Sequence, residues 1–221
     1  MIPDNIILTW KNENFPSYVF NNIKKLNPDK EILFFSDIDV IKFLSKEYDT
    51  SYADFFNTLK LGCTKGDFFR YCYLFKYGGY YCDIDIYHLK PIKDYIKPNV
   101  EFFSINSQAK NTTFQALLFC ENENEIIYNC ISDVMNPLSG DNLYRNTTSD
   151  MYKNIKKYLN LDGDIEPKDY IVNNRIVSIG EELAINNCWT CLYNNNTIAL
   201  SRYPNWLKTN PATDQESGFF I

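Results

Sequence analysis

Two aspartates separated by one residue, Asp83 and Asp85, follow an apolar and aromatic stretch of the chain. Alternate side chains of a strand point to the same face, so both carboxylates can reach one ion if the chain turns there. Oxygen ligands favour Mg²⁺, Mn²⁺ or Ca²⁺ over zinc or copper. Two protein carboxylates leave coordination positions open for water and for the phosphate oxygens of a substrate. The pattern therefore predicts a metal site that holds a diphosphate.

A second charged pair, Asp67 and Arg70, lies upstream in a helical pattern, and its three-residue spacing places both side chains on one face. Each pair alone has an ordinary interpretation, as a solvated surface pair or a local ion pair. Asp37 and Asp39 repeat the Asp-x-Asp spacing and are expected to cap a helix. Only the combination of both pairs, with Gly78-Gly79 between them, indicates chemistry.

The elements that must position these residues alternate between strand and helix. Short apolar runs predict strands over 5–10, 31–35 and 80–87, and apolar residues at three- and four-residue spacing predict helices over 17–26 and 65–77. This order predicts an α/β fold with an open, mainly parallel sheet and helices packed on it. Ligands of such sheets bind at the carboxyl ends of the strands, where the aspartates are expected.

The remaining elements are shorter or less regular. Ser36 or Asp37 is expected to cap one helix, and a further helix over 52–60 is expected to end at Gly62. The other predicted elements are strands over 101–105, 114–119, 171–179 and 197–200 and helices over 125–135 and 151–159. The sequence contains no repeat and no linker, so one domain is expected.

The charge balance argues against some classes of protein. The 221 residues include 22 Lys and Arg against 28 Asp and Glu, which gives a net charge of −6. Binding of nucleic acid through a basic surface is therefore not expected, because phosphate contacts need clustered cations. No uncharged run is apolar enough for a membrane-spanning helix, and the start lacks the pattern of a signal peptide.

The seven cysteines and the single histidine, His88, restrict the metal chemistry. Most of the cysteines lie within apolar runs and are expected to be buried, reduced thiols. Cys188 and Cys191 form one C-x-x-C pair, which is too few ligands for a structural zinc site. Reduced thiols and the missing signal pattern predict a cytoplasmic location.

Taken together, the helix, the glycine pair, the aromatic strand and Asp-x-Asp resemble the DXD glycosyltransferases of family 32. That group contains yeast outer-chain mannosyltransferases and capsular sugar transferases, and it is similar to the catalytic core of large clostridial glucosylating toxins. The residues that match its pattern without a gap are Asp67, Arg70, Tyr71, Leu74, Gly78, Gly79, Tyr81, Asp83 and Asp85. Upstream, Thr9-Trp10 resembles the end of the family's first strand, but Ile7 and Leu8 replace a frequent His-Gln.

The resemblance implies a GT-A fold, Rossmann-like and nucleotide-binding, in a single domain over 1–221. Residues 1–95 would bind the nucleotide sugar, 96–207 would face the acceptor, and 208–221 would form a tail. The implied activity is metal-dependent transfer of a hexose from a UDP- or GDP-sugar to a glycan or other hydroxyl acceptor. Mn²⁺ or Mg²⁺ is the implied cofactor, and retention of the anomeric configuration is the implied outcome.

The same resemblance implies roles for the charged residues. Asp85 is expected to bind the metal directly. Asp83 is expected to contact the ribose or the sugar of the donor and to reach the metal through water. Asp67 and Arg70 are expected to bind hydroxyls of the donor sugar and to fix its orientation.

Contacts to the nucleotide and the diphosphate are implied elsewhere. Trp10 would stack on the base, the backbone from Thr9 to Lys11 would read the base edge, and Tyr81 would line the pocket. Trp206 would donate its indole N–H to the diphosphate. Asn205 would supply an oxygen ligand where many family members carry a histidine.

Three other interpretations stay open. A phosphatase of the haloacid dehalogenase type also uses Asp-x-Asp after an apolar strand, although that motif normally opens the chain. A non-catalytic nucleotide-sugar-binding or lectin-like module would keep the pocket without turnover. A toxin-like effector would transfer the sugar to a host protein.

Overall fold

A computed structural model describes residues 1–15, 17–136, 143–185 and 188–202. Within these ranges the chain forms ten strands and six α-helices. In chain order they are β1 (Asn5–Thr9), α1 (Ser17–Leu26), β2 (Glu31–Phe35), α2 (Asp37–Glu47), α3 (Thr50–Thr58), α4 (Gly62–Tyr77), β3 (Gly79–Cys82), β4 (Tyr87–His88), β5 (Val100–Asn106), β6 (Thr113–Cys120), α5 (Glu125–Met135), α6 (Leu143–Tyr158), β7 (Asp169–Val172), β8 (Arg175–Ile185), β9 (Cys188–Tyr193) and β10 (Asn196–Arg202).

One sheet contains all of these strands, in the order β2-β1-β3-β6-β5-β8-β9-β10-β4, with β7 beside β8. Strand β1 pairs in parallel with β2 and β3, and β5 pairs in parallel with β8. The other pairs between described strands are antiparallel. The predicted mixed α/β fold is confirmed. The parallel arrangement is concentrated in β2, β1 and β3, and antiparallel pairs are the more numerous beyond them.

The sheet curls, because β4 follows β3 closely in the chain but lies at the opposite end of the strand order. Helix α1 packs against β4 at one end of the curled sheet. The Asn22 side-chain amide donates to the carbonyl of His88 over 3.1 Å and accepts from the N–H of His88 over 2.9 Å. The rings of Tyr18 and Tyr87 also stack, with centroids 5.4 Å apart.

Alternation along the strands divides the apolar side chains between two cores. In β1, Ile7 packs toward helices α2–α6, whereas Ile6 and Leu8 pack against the other face, which α1 covers. In β3, Tyr81 faces the first core and Tyr80 the second. Both faces of these strands are buried, which explains why their sequences are continuously apolar.

Helix α4 is connected to β3 by a sharp turn at Gly78, as the glycine pair predicts. Gly78 has φ 67° and ψ −170°, a backbone region that is almost restricted to glycine, and its N–H donates to the carbonyl of Leu74. A Cβ at this position would lie 2.8 Å from the carbonyl oxygen of Cys120 and from the backbone nitrogen of Asn122. The turn therefore fixes how the start of β3 follows the end of α4.

Two predicted elements need correction near the aspartates. The strand predicted over 80–87 ends at Cys82, and a turn at Ile84 and Asp85 separates it from β4. Asp83 and Asp85 therefore follow a strand rather than sharing one of its faces. Gly62 starts α4 instead of ending the preceding helix, since Leu59 already ends α3 in an extended conformation.

Further differences lie in the second half. The strand predicted over 171–179 is a hairpin, because Asn173 and Asn174 adopt φ 49° and 64° and turn β7 into β8. The helix predicted over 151–159 begins earlier, at Leu143. Strand β9, which contains both residues of the C-x-x-C pair, was not predicted from the sequence. Across the described ranges, none of the helices combines the length and apolar character that crossing a membrane requires.

The only histidine, His88, is 1% exposed, and neither ring nitrogen has a hydrogen-bond partner among the described residues. Burial lowers the pKa of His88 to about 4. Between pH 6.5 and 4 the unfolded chain therefore binds a proton that the folded chain does not. Stability rises with pH wherever the unfolded state binds more protons, so acidification through this window should lower the free energy of unfolding by about 3 kcal/mol.

Urea denaturation of the wild type and of His88→Leu at a series of pH values measures this contribution. The wild-type free energy of unfolding should fall more steeply from pH 6.5 to 4 than that of the variant, which keeps only the part due to carboxylates. Parallel curves for the two proteins would contradict the assignment to His88.

Candidate active site

The residues that follow β1, β2 and β3 lie together at one edge of the sheet. Ile7 of β1 is level with Tyr81 of β3, so Thr9 and Asp83, each two residues further on, lie at the same edge. The hydroxyl of Thr9 and the N–H of Trp10 both donate to the carbonyl of Phe35, over 2.9 and 3.2 Å. The parallel strands thus bring the predicted nucleotide residues and the first aspartate of the motif to a common edge, as expected for this fold.

Helix α4 adds the second charged pair to this edge. Asp67 and Arg70 are only 3% and 4% exposed, because this part of α4 is buried against the sheet and neighbouring helices. Burying two charged side chains is costly unless they are paired and hydrogen-bonded. Both side chains are therefore expected to be paired and hydrogen-bonded within the site.

Arg70 is the centre of the site. Its Nη2 lies 3.2 Å from Oδ1 of Asp67 and 3.1 Å from Oδ1 of Asp83, and its Nε donates to the carbonyl of Gly66 over 3.2 Å. Its guanidinium lies over the ring of Tyr81, 4.4 Å from the centroid. The helix pair and the first aspartate of the motif, which the sequence suggested separately, form one cluster.

Tyr81 completes the contacts of Asp83. Its hydroxyl donates to the same Oδ1 over 2.9 Å. Two donors therefore hold one oxygen of Asp83. Among the described residues no hydrogen bond reaches the other oxygen, Oδ2, which leaves it available to a ligand.

The charges of the cluster are mutually stabilised. Burial alone would lower the pKa of Arg70, but the carboxylate of Asp83, together with Tyr81 and Asp67, outweighs it and raises that pKa, so Arg70 stays cationic. Burial also raises the pKa of Asp67, against the opposing effects of Arg70 and of a hydrogen bond from Thr147. Burial raises the pKa of Tyr81 well above its ordinary value, so its hydroxyl keeps the proton that it donates.

The donor set fits a divalent cation only in part. Asp85 lies in the turn after β3, half-buried, and Asp83 is 32% exposed, so both carboxylates can be reached from solvent. Carboxylate oxygens suit Mg²⁺ or Mn²⁺. No group of three or more His, Cys, Asp or Glu side chains in the described part of the chain is arranged to hold a metal. These residues therefore suit a cation that completes its coordination with water or with oxygens of a ligand.

Two residues that the sequence did not suggest support the cluster. The Thr147 hydroxyl donates to Oδ2 of Asp67 over 2.7 Å. The Tyr71 hydroxyl donates to Oε1 of Gln115 over 2.5 Å, and Nε2 of Gln115 is buried without a partner among the described residues. Both come from distant elements, α6 and β6. The upstream part of α6, which carries Thr147, has a weakly apolar sequence that gave no helical signal.

The other predicted nucleotide residues are placed as follows. Trp10 is half-buried and Lys11 exposed, both just after β1 at the site edge. The backbone carbonyl of Lys11 accepts from the N–H of Asp37, over 3.4 Å. Ser36 is the N-cap of α2 and Asp39 completes a capping box with it, whereas Asp37 is the first residue of the helix and pairs with Lys65. Asn205 and Trp206 lie outside the described residues.

Comparison with known proteins identifies the region that carries this cluster. Residues 16–103, which include both charged pairs, match the family model described as the glycosyltransferase sugar-binding region containing the DXD motif. This part of the chain is therefore similar to the DXD-containing region of glycosyltransferases. The match ends before β6 and α6, so Gln115 and Thr147 lie outside the DXD region.

Two yeast mannosyltransferases are similar to part of this chain. One is inositol phosphoceramide mannosyltransferase 1 of Schizosaccharomyces pombe, to which this chain is 31% identical over 97 residues, 41% of this chain. The other is initiation-specific alpha-1,6-mannosyltransferase of Saccharomyces cerevisiae, with 34% identity over 109 residues, 44% of this chain. The chain covers 30% and 22% of these two proteins, respectively.

The fold has a solved counterpart. The structure of PaToxG glycosyltransferase superposes with a TM-score of 0.54 at 14% identity, over 71% of this chain and 68% of that chain. At this identity the likeness concerns the fold alone. The resemblance to DXD glycosyltransferases that the sequence suggested is confirmed by the family match and by the relatives, and the expected fold by the solved structure.

Proposed function

We propose that this protein is a metal-dependent glycosyltransferase that moves a hexose from a UDP- or GDP-sugar to a hydroxyl of a glycan, in polysaccharide biosynthesis. The observation that carries the proposal is the contact of Arg70 with both Asp67 and Asp83 at the carboxyl edge, directly before Asp85. A hydrogen-bonded charged cluster of this kind suits a polyhydroxyl ligand with an anionic leaving group.

The proposed site residues divide the work. Asp67 and Arg70 bind hydroxyls of the donor sugar, and their burial keeps both side chains in one orientation. Asp83, held through Oδ1, contacts the ribose or the sugar with Oδ2. Asp85 is the direct metal ligand, with Asp83 reaching the metal through water.

The nucleotide is proposed to lie along the ends of β1 and β2. Trp10 stacks on the base, and the backbone of Thr9 and Lys11 reads its edge. Tyr81 lines the pocket, Asn205 is proposed as an oxygen ligand of the metal, and Trp206 is proposed to donate its indole N–H to the diphosphate.

In the proposed reaction the bond from C1 of the sugar to the diphosphate breaks, and a bond from C1 to the acceptor oxygen forms. The acceptor proton leaves with the diphosphate or with solvent. When bound, Mn²⁺ or Mg²⁺ neutralises the charge that develops on the leaving diphosphate. The carboxylates near the sugar favour its oxocarbenium-like transition state. We propose retention of configuration, on the strength of the family resemblance.

The location proposed is a reducing one, the cytoplasm. The thiols of all seven cysteines are unpaired, and five of them are buried. Cys188 and Cys191 lie three residues apart on β9, so their side chains leave opposite faces of the strand and do not form a dithiol site.

Release of nucleoside diphosphate tests the activity. The protein is incubated without acceptor with UDP-glucose, UDP-galactose, UDP-N-acetylglucosamine and GDP-mannose, each with Mn²⁺ or Mg²⁺. At least one donor should be hydrolysed, EDTA should stop the release, and added Mn²⁺ should restore it. With an acceptor, the anomeric proton signal of the product reports the stereochemistry.

The outcomes separate the candidate functions. Binding of a donor without release would favour a non-catalytic nucleotide-sugar-binding module. Neither binding nor release for any donor would overturn the transferase proposal. Release that EDTA does not affect would overturn its metal dependence.

A further inference from the structure

A cavity of about 380 Å³ lies beside the ends of β5 and β8, apart from the Arg70 cluster. Its lining includes Asn106, Ser107, Glu181, Glu182, Leu183 and Ala184. The volume is in the range of small-ligand pockets. None of the roles proposed above uses this cavity.

Strand directions place the cavity at the same edge as Asp83. Strand β6 is antiparallel to both β3 and β5, so β3 and β5 run in the same direction. Strand β8 is parallel to β5, with Asn106 level with Glu181. Neighbouring strands lie about 4.8 Å apart, so the ends of β5 and β8 are about 10 to 14 Å from the end of β3. An acceptor several sugar units long can span this distance.

The polar groups of the cavity are mainly hydrogen-bond acceptors. Glu182 is 2% exposed, and its carboxylate accepts from the hydroxyls of Ser201 and Ser107 over 2.7 and 3.4 Å. Oδ1 of Asn106 is buried with no partner among the described residues, while its Nδ2 donates to the carbonyl of Ile165 over 2.8 Å. Glu181 adds a second carboxylate. A buried acceptor without a donor is costly, so the cavity suits a ligand rich in donors.

The rim of the cavity is apolar. Leu183 is 40% exposed, and Ala184 beside it is exposed too. Carboxylate and amide oxygens next to a small apolar surface match a sugar ring, which donates from its hydroxyls and presents C–H groups on one face. A lysine or arginine side chain would also pair with the carboxylates, so a lysine-rich peptide is the competing ligand in the test.

We propose that this cavity is an acceptor subsite, which binds a sugar unit of the glycan at a distance from the hydroxyl that receives the hexose. This proposal rests on the proposed function. The donor occupies the ends of β1, β2 and β3, and the acceptor extends from there along the same edge to β5 and β8. Glu181 and Asn106, which are level with each other in neighbouring strands and so share a face of the sheet, accept hydrogen bonds from its hydroxyls, and the buried Glu182 holds the hydroxyl of Ser107 at the cavity wall.

Direct binding is measured first, without catalysis. Methyl α-D-mannopyranoside, methyl α-D-glucopyranoside and a lysine-rich peptide are titrated separately into ¹⁵N-labelled protein. We expect amide shifts from a glycoside at residues 106–108 and 181–184, and their loss in Glu181→Gln and in Ala184→Trp, which fills the cavity from its exposed rim. Ile171→Trp is the control, because Ile171 is exposed on β7 near the opposite edge of the sheet.

Kinetics then separate this proposal from the proposed function. In Glu181→Gln and Ala184→Trp the transfer to a tetrasaccharide of the better-binding sugar should fall tenfold or more, through KM. Transfer to the methyl glycoside, which is too short to reach the cavity from the receiving position, and hydrolysis of the donor without acceptor should stay within twofold of wild type. No shift at these amides with either glycoside, or shifts from the peptide alone, would overturn the subsite. If the wild type hydrolyses no donor, the proposed transferase activity itself is overturned.

Discussion

Asp85→Asn is expected to lower the release of nucleoside diphosphate from the donor by about a thousandfold in the presence of Mn²⁺. Asparagine keeps the size of the side chain and one oxygen, but it removes the charge that holds the cation. Asp85 is half-buried in a turn outside the regular strand, so the substitution should change the free energy of unfolding by less than about 1 kcal/mol. Steady-state release at saturating donor, with a Mn²⁺ titration and a urea denaturation curve, measures both effects.

Two further variants show whether the effect belongs to this position. Asp54→Asn, on an exposed position of α3, makes the same chemical change away from the site and should leave the rate unchanged. Asp83→Asn should reduce the rate less than Asp85→Asn, because the amide oxygen can still accept from Arg70 and Tyr81. If Asp83→Asn proves the more damaging and Asp85→Asn retains its response to Mn²⁺, Asp85 is not the direct ligand.

Local patterns predicted the bounds of several elements. Helix α1 and strand β2 have the predicted bounds, because amphipathic spacing and an apolar run are each contained within the element. The same holds for α5, and for the turn at Gly78, whose conformation only glycine adopts easily. These features depend on residues that are neighbours in the chain, which a sequence shows directly.

The contacts between distant elements could not be predicted in the same way. The sequence placed Asp67 and Arg70 on one helical face and Asp83 after a strand, but the contact between Arg70 and Asp83 depends on how α4 packs over β3. Thr147 of α6 contacts Asp67 and Gln115 of β6 contacts Tyr71, and neither has a local signal that indicates a binding role. The family resemblance grouped Asp67, Arg70, Tyr81 and Asp83, whose side chains are in contact in the structure.

The turn at Asn173 and Asn174 shows a second kind of limit. Both residues adopt a positive φ, which asparagine tolerates better than most residues, so the signal for a hairpin was present in the sequence. The surrounding β-branched residues favoured one continuous strand over 171–179, so β7 was not predicted as a separate strand. The end of β8 was therefore not recognised as a site edge, although it carries Glu181 and Glu182.

Arg70→Lys is expected to reduce donor turnover by at least a hundredfold and to lower the free energy of unfolding by about 2 kcal/mol. Arginine contacts Asp67 and Asp83 through Nη2, reaches the carbonyl of Gly66 through Nε, and covers the ring of Tyr81. Lysine has one nitrogen and no planar group, so it cannot make these contacts together. The charge is kept, which isolates the effect of geometry.

Turnover, donor affinity and stability must be measured on the same preparation, since Arg70 is buried and supports both the fold and the site. Arg175→Lys is the matched control: Arg175 also pairs with a carboxylate, that of Glu121, but it is 39% exposed and lies at the opposite end of β8. It should leave turnover unchanged. If the Arg70→Lys protein unfolds at lower urea but turns over the donor at the wild-type rate, Arg70 acts only in folding. The carboxylates of Asp67 and Asp83 would then bind the donor without the contacts that arginine makes to them.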